Sequence, residues 1–128
     1  MNFKQILRAI LIGALLWVII FVEWSIMVFT PVLKDLGNWQ YVIHFFILIP
    51  IVLFGASYYY KNKNKVNGFL LGLIMMLTAA VLDAIITVPL ITIPQGVGYL
   101  DFFFSTHGIF FSIEFVIISG IYWMKKIR

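Results

Sequence analysis

The chain has 128 residues, 63% of them apolar and 11% charged, with a formal net charge of +4 and a mean hydropathy of +1.07. That composition excludes a water-soluble domain of this length and leaves room for about four helical bilayer spans of about 20 residues each, joined by short connections. The basic residues lie in short clusters at the ends of apolar runs, so no nucleic-acid partner is expected, and the absence of cysteine removes disulfides, thiolate metal ligands and cysteine nucleophiles.

The first predicted helix covers about residues 6–29. It follows Lys4 and Arg8, outlasts a signal-peptide core and meets no small-x-small cleavage site, so it is expected to remain as a signal anchor. Pro31 and the stretch Lys34-Asp35-Leu36-Gly37-Asn38 turn the chain. The second helix, about 39–60, contains Pro50, which membrane helices tolerate. The polar loop Lys61-Asn62-Lys63-Asn64-Lys65 leads into the third, about 66–88, expected to stop at Pro89. A loop rich in proline and glycine, 89–98, precedes the fourth, about 99–124. The expected fold class is all-α: an integral membrane four-helix bundle, one domain over residues 1–128.

Lys4, Arg8, the three lysines of the middle loop and Lys125, Lys126 and Arg128 share one side, against Lys34 alone on the other. Eight against one is a strong positive-inside bias, so both termini are expected in the cytoplasm. Trp39, Tyr41 and Tyr99 then fall at the outer interface, with Tyr58, Tyr59, Tyr60, Tyr122 and Trp123 at the inner one.

Five ionisable side chains interrupt the apolar runs. Counted from the basic anchors at about 1.5 Å per residue, Glu23 lies roughly 22 Å up, His44 roughly 25 Å, and Asp83 and His107 roughly 27 Å. Glu114 lies deeper, at roughly 16 Å, on the helix face of His107. The shallower residues are also compatible with contact to outer headgroups, whereas an acid near a helix centre costs roughly 2.5–3.5 kcal/mol on insertion scales. Glu23, Asp83 and Glu114 have no lysine or arginine inside a span to neutralise them. Their charge must be met by protons, by a protonated His44 or His107, or by a bound cation. Carboxylate and imidazole ligands suit zinc or another divalent metal, although here they come from four helices with no recognised spacing motif.

Packing signals point the same residues inward. Gly68 and Gly72 form a small-xxx-small pair, and Gly72, Ala79, Asp83 and Thr87 fall near one face of the third helix. Leu16, Ile20, Glu23, Met27 and Thr30 form a stripe on the first helix; His44, Leu48, Ile51, Gly55 and Tyr58 form one on the second. The six phenylalanines of the fourth surround it, so some must face lipid. Each hairpin places an acid late in its first helix and a histidine early in its second, the pattern of a weak parallel repeat.

From Asn67 to about Ile118 the chain resembles a family of small four-helix bacterial membrane proteins known only as a domain of unknown function. The features are Gly68 and Gly72 at the start of the third helix, the late Asp83, the Val88-Pro89 pair and the aromatic opening of the fourth helix from Tyr99 to Phe104. The resemblance implies a bacterial inner membrane and the four-helix fold, and carries no activity.

The function expected first is a binding or transport protein whose pocket, built from Glu23, His44, Asp83, His107 and Glu114, accepts a cation, a proton or a cationic amphiphile. No catalytic residue and no cofactor are expected, with a divalent metal as the alternative ligand. A membrane enzyme using carboxylate and histidine as acid and base on a lipid-like substrate comes second, and a structural accessory subunit third. The expected partners are the lipid bilayer, a small cationic or lipid-like ligand and further copies of the chain in a homo-oligomer. For the orientation, cysteines placed between Lys61 and Lys65 should react with membrane-permeant reagents only and those near Gly96 with impermeant ones; reversed labelling overturns it.

Overall fold

The computed structural model describes residues 1–127; Arg128, counted above among the basic residues, lies outside them. Among the described residues there are helices and no strands. The first span is α1 (Phe3–Phe29), and it begins a turn earlier than expected because Asn2 and Gln5 cap it reciprocally. The Asn2 carboxamide oxygen accepts from the Gln5 backbone N–H, and the Gln5 side chain accepts from that of Asn2, both at 2.9 Å. After the short α2 (Pro31–Lys34), the second span is α3 (Trp39–Tyr59), which runs through Pro50. At its end Arg8 of α1 donates to the Tyr59 and Tyr58 carbonyls at 3.1 and 2.7 Å, and its guanidinium lies 5.4 Å from the Tyr58 ring centre. A cation thus meets carbonyls that the helix cannot satisfy itself.

The third span, α4 (Gly68–Leu82), does not stop at Pro89. It continues as a wider π-helical stretch over Asp83–Thr92, then a 3₁₀ turn over Ile93–Gln95. The wider register moves backbone away from the proline ring, which an α-turn would crowd. In that i→i+5 register the carbonyl of Ala84 faces the nitrogen of Pro89, which has no hydrogen. The hydroxyl of Tyr99 supplies the missing donor at 3.0 Å. Gly96, at φ 85°, completes the turn in the left-handed region. The fourth span is also broken: α5 (Tyr99–Phe103) ends before Ser105, whose hydroxyl accepts from the Gly108 N–H and starts α6 (Thr106–Tyr122), extended by a π-turn over Trp123–Ile127.

α1 packs against α3 and α4, and α6 packs against the same two, so α1 and α6 face each other across the bundle diagonal. The core is apolar and runs through all four spans, with Leu16, Leu48, Val52, Leu71, Met75 and Phe115 near its centre. The expected stripe on α3 turns inward at Tyr59 rather than Tyr58, which is exposed. Tyr59 is fully buried and donates to the Gln5 carbonyl at 3.2 Å. Outward, rows of large apolar side chains such as Val22, Leu77, Val81 and Phe110 are half exposed or more. Four helices are long and apolar enough to cross a membrane, and the protein is a multi-pass membrane protein whose outer face is built for lipid.

The glycines set how closely the spans approach. A Cβ at Gly72 would stand 2.9 Å from the Val116 Cα and 2.9 Å from the Ser119 Cβ of α6, and one at Gly13 would stand 2.9 Å from the Met75 Cα of α4. Close approach of this kind is what holds helices together in lipid, where burying apolar surface gains little. Gly72→Leu should therefore separate α4 from α6, lowering stability by about 1–3 kcal/mol or more, while Leu73→Ala, on the exposed side of the same turn, should change it little. Thermal unfolding in detergent distinguishes the two, and equal melting temperatures contradict the packing.

Candidate functional site

The five ionisable side chains of the spans occupy four places. Between α1 and α3, His44 Nδ1 lies 2.8 Å from Glu23 Oε2, with both side chains largely buried. The imidazole meets Phe111 of α6 edge-on at 4.7 Å and Trp24 at 5.2 Å, so aromatic rings enclose the pair. The other Glu23 oxygen, Oε1, is buried without a hydrogen-bond partner in the protein.

Between α1 and the extension of α4, the Asp83 Oδ1 accepts from the Trp17 indole N–H at 2.9 Å and from the Thr87 hydroxyl at 2.7 Å. Thr87 stands four residues along the same stretch and is buried. Glu23 with His44 and Asp83 with Trp17 are thus two polar contacts, each tying α1 to a different span.

Glu114 stands apart. It is 7% exposed, and neither carboxyl oxygen has a partner in the protein. It is one of the residues lining an open groove of about 220 Å³ between α3 and α6, with Phe45, Ile49, Phe110, Ile113, Ile117 and Ile118. A second groove, about 340 Å³, opens between α1 and α3 and reaches Glu23, flanked by Val22, Ile26, Ile43 and Ile47. Both grooves face outward among apolar side chains.

His107, in the first turn of α6, is exposed. Its ring stacks on Tyr41 at 3.7 Å with 7° between the planes. The second hairpin thus does not reproduce the first, because Asp83 bonds to Trp17 and Thr87 while His107 stacks on Tyr41, leaving no counterpart of the Glu23–His44 contact. Trp17 and Trp24, which the sequence did not single out, and Tyr41, read there only as part of the outer belt, are the site residues that sequence reasoning missed. Thr87 had a usable signal, a hydroxyl four residues from an acid on one face. Among the described residues no three His, Cys, Asp or Glu side chains are grouped to hold a metal ion, so a divalent metal has no ready-made centre there.

Residues 33–127 match the family described as a family of unknown function, DUF5367. The chain belongs to this family. No curated protein and no solved structure matches the chain. The DUF5367 segment is wider than the stretch from Asn67 to Ile118 that carries the resemblance in the sequence, taking in α3 and the end of the fourth span. It includes His44, Asp83, His107 and Glu114, whereas Trp17 and Glu23 precede it. The two α1 side chains that make these contacts thus lie outside the DUF5367 match.

Asp83 and Glu114 should respond oppositely to removal. Asp83→Ala strands the buried indole N–H of Trp17 and should cost about 1 kcal/mol. Glu114→Leu removes a buried carboxyl without a protein partner and should leave stability unchanged or raise it. Unfolding curves in one detergent check this, and a larger loss for Glu114→Leu would reveal a structural role for that acid.

Proposed function

We propose that this is a cation-binding protein of the bacterial inner membrane, with its termini in the cytoplasm and Glu114 as the seat of an exchangeable proton or cation. The observation that supports it most is the pair of buried Glu114 oxygens without a protein partner. A carboxyl held among isoleucines and phenylalanines needs its charge balanced, and among the groove residues no other titratable side chain does so. A proton or a ligand cation can supply that balance, and replacing one by the other is binding coupled to proton release.

The remaining acids fit a supporting role. Glu23 has His44 as its counterpart and Asp83 has two neutral donors, so each already has protein partners. With the basic end of the bundle in the cytoplasm, all of these groups lie in the outer half of the bilayer or near its middle. A second reading, acid–base catalysis on a lipid-like substrate, draws on the Glu23–His44 contact. It ranks lower because Trp24 and Phe111 pack against the imidazole and leave it largely buried.

The sign of the pH dependence follows from exchange. A cation that displaces a proton binds more tightly as pH rises, until the carboxyl is ionised without it. Calorimetry of the purified chain with tetramethylammonium, decylamine and zinc, in buffers of differing ionisation heat between about pH 6 and about pH 8, should show proton release with at least one ligand. Glu114→Gln should abolish that release. Absence of binding by all three supports the accessory-subunit reading instead.

A further inference from the structure

The groove between α3 and α6 combines two chemistries that an ordinary lipid-facing crevice does not. Its walls are aliphatic and aromatic, and among the lining residues is Glu114, whose two buried carboxyl oxygens have no partner in the protein. A lipid acyl chain would cover the walls and leave the carboxyl unmet. A divalent metal would find one carboxylate where it needs several oxygen or nitrogen ligands. A hydrated inorganic ion would have to shed its water against Ile113, Ile117 and Ile118.

The geometry points to a lipophilic amine as the ligand, an amphiphile with a protonatable nitrogen that enters sideways from the bilayer. This rests on the proposed reading of Glu114 as the exchange seat and names what occupies it. The stem lies along the isoleucines of α6 and Ile49 of α3, and the nitrogen reaches Glu114. The Phe45 and Phe110 rings, packed on each other at 5.6 Å across the two helices, line the groove beside that path. The carboxyl oxygens are buried, so on this proposal lining side chains such as Phe110, which is half exposed, swing aside for entry.

Proton bookkeeping favours an amine over a permanently charged ion. The free base crosses the hydrocarbon uncharged. At the site the carboxyl O–H bond breaks, a N–H bond forms on the amine, and the product is an ammonium hydrogen-bonded to a carboxylate. No net charge is moved through lipid. A quaternary ammonium has no lone pair to take the proton and must bring its charge in alone.

Amine, quaternary ammonium and alcohol with the same stem separate these terms. The full chain in phosphatidylcholine nanodiscs is labelled with a diazirine-bearing decylamine, and decylamine, decyltrimethylammonium and decanol compete for it. Concentrations are expressed as bilayer mole fraction, because the common stem drives all three into the membrane. Saturable labelling within residues 110–118 is expected, with decylamine displacing the label at about tenfold lower mole fraction than decanol and the quaternary ion falling between. Glu114→Gln should erase that ranking. Ile117→Trp, at an exposed position on the rim, should fill the groove and reduce labelling without changing the melting temperature. Equal competition by all three compounds, or an amine preference that survives Glu114→Gln, overturns the inference. If tetramethylammonium still shows Glu114-dependent proton release in calorimetry, the exchange reading stands without the amphiphile. If no cation depends on Glu114 in either experiment, both fall.

Discussion

Hydrocarbon neither donates nor accepts hydrogen bonds, so a polar group carried into a span must be met by another part of the same protein or by what the protein binds. The arrangement of this bundle follows from how that demand is met. Arg8 reaches from α1 to the last carbonyls of α3, Gln40 reaches back to the carbonyls of Met27 and Leu33, and Tyr60 donates to the Val66 carbonyl across the middle loop. These bonds lie at the ends of spans, where backbone groups run out of helical partners. In the interior the same demand brings Trp17 to Asp83 and Glu23 to His44, each joining α1 to a different neighbour. Among the described residues the demand is not met from within at both Glu114 carboxyl oxygens, at one oxygen of Glu23 and at the Ser119 hydroxyl.

α4 is held on two sides by close backbone approach, with Gly13 of α1 against Met75 and its own Gly72 against Val116 of α6. α3 is held differently. It meets α1 and α6 mainly through side chains, and open grooves lie on both of its flanks. The contrast places room for a ligand beside α3 and rigidity beside α4. The acid in each groove comes from the helix facing α3, Glu23 from α1 and Glu114 from α6.

The four spans, their turns and the tight glycine face of α4 were legible from hydropathy and from the spacing of small residues, because these patterns are local and strong. The five ionisable residues were legible as anomalies for the same reason. Their partners were not. Trp17 lies 66 residues from Asp83, and an indole inside an apolar run looks the same whether it faces lipid or donates to an acid. The continuation past Pro89 was hidden because it depends on a donor from Tyr99, in the next helix. His107 looked equivalent to His44 by position, yet the break at Ser105 places it at a helix start, where it is exposed and rests on Tyr41.

The wide turns between Asp83 and Thr92 have a bearing on how such a chain can change over time. A π-turn holds one residue more than an α-turn, so it is what an inserted residue leaves behind when the helix on neither side can rotate to absorb it. Here one side is pinned by Asp83 against Trp17 and the other by Ile91 and Thr92 in the interior. The stretch therefore marks the part of the third span where length is negotiable and orientation is not. Insertions and deletions that survive in this helix are expected to gather between those two pins.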